Sequence, residues 1–131
     1  MNVTGYVVMA LAMAWAPSGE DGQVMSPAEV DSLTARENHL LLLDVRTEEE
    51  FQGALGHLEG ALLIPVQELS DRLQELEPYR SDTIVVYCRT GHRSHHATEL
   101  LRAKGFKAFN MTGGMVRWNN EHRPVFRAEH R

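Results

Sequence analysis

The chain has 131 residues, 43% of them hydrophobic and 24% charged, with a formal net charge of −5. That length holds one domain, able to bury roughly two-thirds of its unfolded surface without staples, and the composition excludes a disordered chain. The acidic balance and the lack of any long Lys or Arg run argue against nucleic acid as a partner. A single cysteine excludes an internal disulfide, a dithiol exchange site and a four-cysteine or mixed structural zinc site.

Val3 to Ala16 form an apolar run without a charge, followed by the polar linker Pro17-Ser18-Gly19-Glu20-Asp21-Gly22. The run is shorter than the ~20 residues that cross a bilayer. Ala14-Trp15-Ala16 gives it the small-x-small pattern of a signal-peptide cleavage site, although no Lys or Arg precedes it and Pro17 would follow the cut. Residues 1–23 therefore read as a signal peptide, the tail of a membrane anchor or an accessory helix, and any membrane association is expected only through residues 3–16. The compartment stays open between cytoplasmic and periplasmic or membrane-anchored.

The globular domain is expected over 24–131. Ser26-Pro27-Ala28-Glu29 has the marks of a helix start, with a Ser N-cap, Pro in the first turn and an acid near the positive end of the dipole. Val30 and Leu33 share a face of that helix. Leu40 to Val45 is a short, continuously apolar run of the kind that forms a strand buried on both faces. Ala61 to Ile64 is a second such run, stopped by Pro65. Leu69, Leu73 and Leu76 recur at helical spacing until Pro78 ends the pattern. Thr83 to Tyr87 is the strongest strand signal, rich in β-branched residues. A helix with Ala97, Leu100 and Leu101 follows, closed by Gly105. Phe106 to Met111 predicts a last strand, and Gly113-Gly114 turns the chain into a final helix with Val116 and Trp118. Strands alternating with helices predict a three-layer α/β/α domain on a mainly parallel sheet of roughly five strands.

Chemistry concentrates in one loop. Cys88-Arg89-Thr90-Gly91-His92-Arg93-Ser94 falls between the Thr83–Tyr87 strand and a helix. Ligands of open α/β sheets bind beyond the carboxyl ends of the strands. Backbone amides at a helix start lack intrahelical partners and carry partial positive charge. A tight loop there, relaxed at Gly91, would aim such amides at the sulfur as an anion nest, with Ser94 capping the helix. Arg89 and Arg93 add full charges. Such surroundings lower a thiol from about 8.5 to roughly 3.5–7.5, and two units would correspond to ~2.7 kcal/mol. The competing structural reading is a buried cysteine ending a core strand, with both arginines in solvent.

At this point the sequence resembles the rhodanese family. Cys88-Arg89-Thr90-Gly91-His92-Arg93-Ser94 is similar to its Cys-x-x-Gly-x-Arg-Ser/Thr active loop. Leu42-Leu43-Asp44-Val45-Arg46 followed by Glu49-Glu50-Phe51, Gly56-His57-Leu58-Glu59-Gly60-Ala61 followed by Ile64-Pro65, and Gly113-Gly114 followed by Trp118 and Pro124 resemble three further elements of that family, in order. The resemblance covers about Val24 to Val125. Phe51 and Gly56 stand two residues further apart than in many members, which lengthens a surface loop. The resemblance implies a single-domain rhodanese fold and a thiosulfate sulfurtransferase activity. Cys88 would become a persulfide, the amides of Arg89 through Ser94 would cradle the sulfur, and Arg89 and Arg93 would attract an anionic donor such as thiosulfate. The acceptor would be cyanide in vitro, or a thiol or sulfur-accepting protein. No metal or organic cofactor is implied.

The rivals are a cysteine phosphatase or arsenate reductase, whose loop is one residue longer between Cys and Arg, and a non-enzymatic sulfur carrier or interaction module of the same fold. His92, His95 and His96 read as a solvated pocket rim rather than metal ligands, with His92 beside the donor. His57 reads as a structural polar residue. Asp44 and Arg46 read as supporting residues that fix loops by ion pairing, Gly113 and Gly114 as backbone geometry, and Trp118 as core.

Overall fold

In the computed structural model, which describes residues 23–127, the continuous apolar runs form the middle of one sheet. Its strands are β1 (Val24–Met25), β2 (Leu40–Asp44), β3 (Leu62–Leu63), β4 (Thr83–Tyr87) and β5 (Lys107–Met111), arranged β1-β5-β4-β2-β3. Every pairing is parallel. β4 lies at the centre, in register from Leu40↔Thr83 to Asp44↔Tyr87 on one side and from Thr83↔Lys107 to Val86↔Asn110 on the other. The run at 3–16 lies outside the described residues.

Both faces of the sheet are covered, which is why β2 and β4 are apolar at successive positions instead of alternating. Leu41, Leu43, Ile84 and Val86 point to one face and pack with Leu69, Leu76, Ala97 and Leu101. Leu42, Val85 and Tyr87 point to the other and meet Val30, Leu33, Met115 and Trp118. Each fully buried aliphatic side chain contributes about 1.5–3 kcal/mol. Helix α1 (Pro27–Thr34) and helix α4 (Gly114–Asn120) cover the second face, and helix α3 (His92–Ala103) the first. The expected three-layer α/β/α arrangement is the one observed.

Local chemistry sets the helix ends. Ser26 accepts from the Glu29 amide while the Glu29 carboxylate accepts from the Ser26 amide, a complete capping box. Thr47 and Glu50 repeat that box on α2 (Glu48–Phe51), a short helix that the sequence reading does not anticipate. The helix expected over Leu69 to Leu76 is instead two 3-10 helices, Val66–Asp71 and Leu73–Tyr79. Glu68, Arg72, Glu75 and Arg80 each donate to a carbonyl three residues back, and Pro78, inside the second segment, has no N–H for an α-helical bond. Leu69 and Leu76 are still fully buried, so the apolar spacing marks the correct face on a tighter spiral. In α4 the buried apolar partner of Trp118 is Met115, while Val116 is half-buried.

Because the strands are parallel, their carboxyl ends share one edge. The loops leaving that edge carry Arg46, Cys88 and Gly113, and this brings distant parts of the chain to one place.

Candidate active site

Cys88 follows β4 directly and is 1% exposed. The chain then turns sharply, and Gly91 takes φ 107 as the N-cap of α3. Any side chain at 91 would be strained there, and a Cβ would stand 3.3 Å from the Gly113 amide nitrogen. The turn wraps donors round the sulfur: the Gly91 amide at 3.1 Å, the Ser94 amide at 3.4 Å and the Ser94 hydroxyl at 3.3 Å. Burial pushes the Cys88 thiol up, but the Ser94 hydroxyl and the amides of Ser94, Gly91 and Thr90 outweigh it and hold the thiol below its ordinary range. Two expectations change here. Ser94 does not cap the helix, because Gly91 occupies the cap and Ser94, in the first turn, turns its hydroxyl to the sulfur. Hydrogen bonds, more than the guanidinium charges, lead the effect on the thiol.

The two arginines have different fates. Arg93 points to α2, where its Nη1 and Nη2 donate to the two Glu50 carboxylate oxygens at 2.9 and 2.8 Å. That bidentate contact, against some burial and with help from the Thr47 amide, holds the Glu50 carboxyl down at about 2. Arg93 thus stays charged, with both outer nitrogens occupied by Glu50. Arg89 is exposed and lines a cavity of about 150 Å³ together with Arg46, Glu50, Gly53, Ala54 and Leu55. The lengthened surface connection between Phe51 and Gly56 supplies Gly53, Ala54 and Leu55 to the wall of that cavity. Glu50 was not singled out from sequence for this place, since its Thr47-x-x-Glu50 spacing signals only a capped helix start.

Supporting contacts fix this edge. Asp44 and Arg46, 0% and 1% exposed, form a buried pair in which Arg46 Nε and Nη2 donate to the carboxylate at 2.9 and 2.7 Å. Arg46 Nη2 also donates to the Gly56 carbonyl at 2.8 Å, which ties the end of β2 to the following loop. Stranding either charge of such a pair costs about 3–5 kcal/mol. His57 is 6% exposed, stacks on Phe51 at 3.5 Å and has Nδ1 2.8 Å from the Phe51 carbonyl, a structural role. From the other side, the Met115 and Val116 amides of α4 donate to the Cys88 and Arg89 carbonyls, both at 3.0 Å. Asn110 on β5, not singled out from sequence, accepts from the Ser94 hydroxyl at 2.6 Å and donates to the Gly91 carbonyl. Its signal was a polar residue within an apolar strand. His92, His95 and His96 are exposed along α3, and His95 and His96 approach Glu99 at 3.5 and 3.9 Å. Among the described residues no group of three or more His, Cys, Asp and Glu is placed to hold a metal.

Fold and loop define a class: an α/β domain whose central parallel strand ends in a cysteine ringed by backbone amides. Residues 26–121 match the Rhodanese-like domain family, and the chain belongs to it. It is 36% identical over 73 residues to the thiosulfate sulfurtransferase PspE of Escherichia coli (strain K12), covering 56% of this chain and 68% of that protein. It is 33% identical over 91 residues to a sulfurtransferase of Allochromatium vinosum, covering 69% of this chain and 81% of that protein. The crystal structure of a rhodanese-like domain protein from Staphylococcus aureus superposes with a TM-score of 0.69 at 28% identity, over 79% of this chain and 98% of that one.

Proposed function

We propose that this protein takes a sulfane sulfur from thiosulfate or a similar small anionic donor, holds it as a persulfide on Cys88 and passes it to a thiophilic acceptor. Family membership and relatives named as sulfurtransferases support sulfur transfer in general. The finer reading rests on the sulfur itself: a buried thiol held below its ordinary pKa by converging amides and one hydroxyl.

In the first half-reaction the Cys88 thiolate attacks the outer sulfur of thiosulfate. A bond forms between Sγ and that sulfur, the donor's S–S bond breaks, and sulfite leaves with the electron pair. The transferred sulfur then carries the negative charge, where the loop amides of Thr90, Gly91 and Ser94 and the positive end of α3 can stabilise it. In the second half-reaction cyanide or a thiolate attacks the outer sulfur, and Sγ leaves as the thiolate. The balance closes without a metal, a redox partner or an organic cofactor.

Arg89 is assigned to donor attraction, since Arg93 is already committed to Glu50. The same commitment weighs against phosphatase or arsenate reductase chemistry, which needs that guanidinium free to meet an oxyanion over the sulfur. The short Arg89-Thr90-Gly91-His92 span between Cys88 and Arg93 suits a cradle for one sulfur atom better than one for a tetrahedral anion.

Steady-state kinetics with thiosulfate and cyanide test the cycle. Parallel double-reciprocal lines are expected for two separate half-reactions, and Arg89→Ala should raise KM for thiosulfate about tenfold with little change in kcat. Intersecting lines would contradict a free persulfide enzyme, and an unchanged KM would remove Arg89 from donor binding.

A further inference from the structure

Ser94 Oγ carries one proton and stands between two acceptors. It is 2.6 Å from Asn110 Oδ1 and 3.3 Å from Cys88 Sγ. The Asn110 amide cannot be turned round, because its other end lies 3.2 Å from the Gly91 carbonyl oxygen, which only accepts. Nδ2 must therefore face Gly91, and Oδ1 must face Ser94. Ser94, Asn110 and Cys88 are 0%, 6% and 1% exposed, so bulk water is no ready substitute. With a thiol at 88 every group is satisfied, since S–H donates to Ser94 and Ser94 donates to Asn110. With a thiolate at 88, both neighbours of the hydroxyl demand the same proton.

We propose that Asn110 competes with the Cys88 sulfur for the Ser94 hydroxyl proton, which turns to Sγ in the thiolate and back to Asn110 when Sγ is neutral. The persulfide half of this proposal rests on the function proposed above, because Sγ of a persulfide is the neutral inner sulfur and the charge has moved outward. Asn110 then gives the hydroxyl a partner while the sulfur is loaded, and its competition makes the unloaded thiolate less stabilised and more nucleophilic. Asn110 is thus a positioning residue acting through Ser94. The charged and titratable groups of the neighbouring elements are paired or face solvent. Arg93 is held by Glu50 of α2 and Arg46 by Asp44 of β2, while Arg89, His92 and His95 are exposed. The parts of β5 and α4 that close the nest, Asn110 and Gly113 to Val116, carry no charge.

Cys88 is the only thiol, so the pH dependence of alkylation of the reduced protein reads its pKa with no sulfur donor present. Ser94→Ala should raise that pKa by about one unit, and Asn110→Ala should lower it by about one unit. In the Ser94→Ala background, Asn110→Ala should shift nothing. The near-isosteric Asn110→Leu, which removes the acceptor but keeps the packing volume, should lower the pKa as Asn110→Ala does. A rise on replacing Asn110, or a shift that survives without Ser94, would overturn the competition. Should neither Asn110 variant fold, the Asn110 side-chain amide resonance of the unmodified protein should follow the Cys88 titration and cease to follow it in Ser94→Ala. An amide that ignores the titration would overturn the proposal. These readouts need no persulfide, so the proton competition and the sulfur-transfer reading can fail separately.

Discussion

Glu50 engages Arg93, one of the two arginines in the Cys88 loop. Its carboxylate completes the α2 capping box through Thr47 and also takes both outer nitrogens of Arg93. Glu50→Gln keeps much of the shape and removes the charge. The Arg93 guanidinium would then add its field to that of Arg89, and KM for thiosulfate is expected to fall several-fold. Acid sensitivity supplies a second readout. The carboxyl is lowered from 4.5 to about 2 in the folded protein, so its contribution to stability is complete above 4.5 and is lost as pH falls towards 2. The side chains of Glu50 and Arg93 are 27% and 33% exposed, so solvent limits that contribution to about 1 kcal/mol or less. Unfolding midpoints measured down that range should fall more steeply for the natural protein than for Glu50→Gln. Parallel pH profiles together with an unchanged KM would show that the pair governs neither property.

At the scale of elements, the active loop is held from two sides. α3 supplies amides to the sulfur, and the first turn of α4 supplies amides to the carbonyls of Cys88 and Arg89. Gly114 makes that approach possible. A Cβ there would lie 2.4 Å from the Arg89 carbonyl oxygen and 2.6 Å from that of Cys88, at φ +56. Gly114→Ala must therefore move the loop backbone, and misplacing the reacting atom by about 1 Å can cost on the order of a hundredfold in rate. Turnover is expected to fall by at least tenfold while far-ultraviolet circular dichroism stays native. Gly60→Ala is the matched control, since that glycine also has a positive φ but no atom within 4 Å of the added carbon. It should cost stability of about 1 kcal/mol and leave turnover intact. Equal turnover in the two variants would show that the α4 clamp is dispensable.

For the molecule as a whole, the sequence was most legible where one physical demand dominated. Residues buried on both sheet faces must be apolar throughout, and β2 and β4 could be read from that alone. The capping chemistry of Ser26 and Glu29 likewise fixes where α1 begins. Short elements were less legible: β1 pairs only Val24 and Met25 with β5, and α2 has one turn stabilised by its cap and by Arg93. In the candidate site, Cys88, Gly91 and Ser94 come together as their spacing implied, because a strand end and a helix start separated by a few residues leave little freedom. Glu50 and Asn110 were not evident because they lie 43 and 16 residues from their loop partners and depend on strand order. What unites these parts is a sulfur atom prepared to hold negative charge, and intact mass tests that directly. Reduced protein is incubated with thiosulfate, alongside Cys88→Ser, and then treated with cyanide. The natural protein alone is expected to gain one sulfur atom, and cyanide to remove it. A natural protein that gains no sulfur, or a Cys88→Ser variant that gains as much, would contradict the persulfide on Cys88.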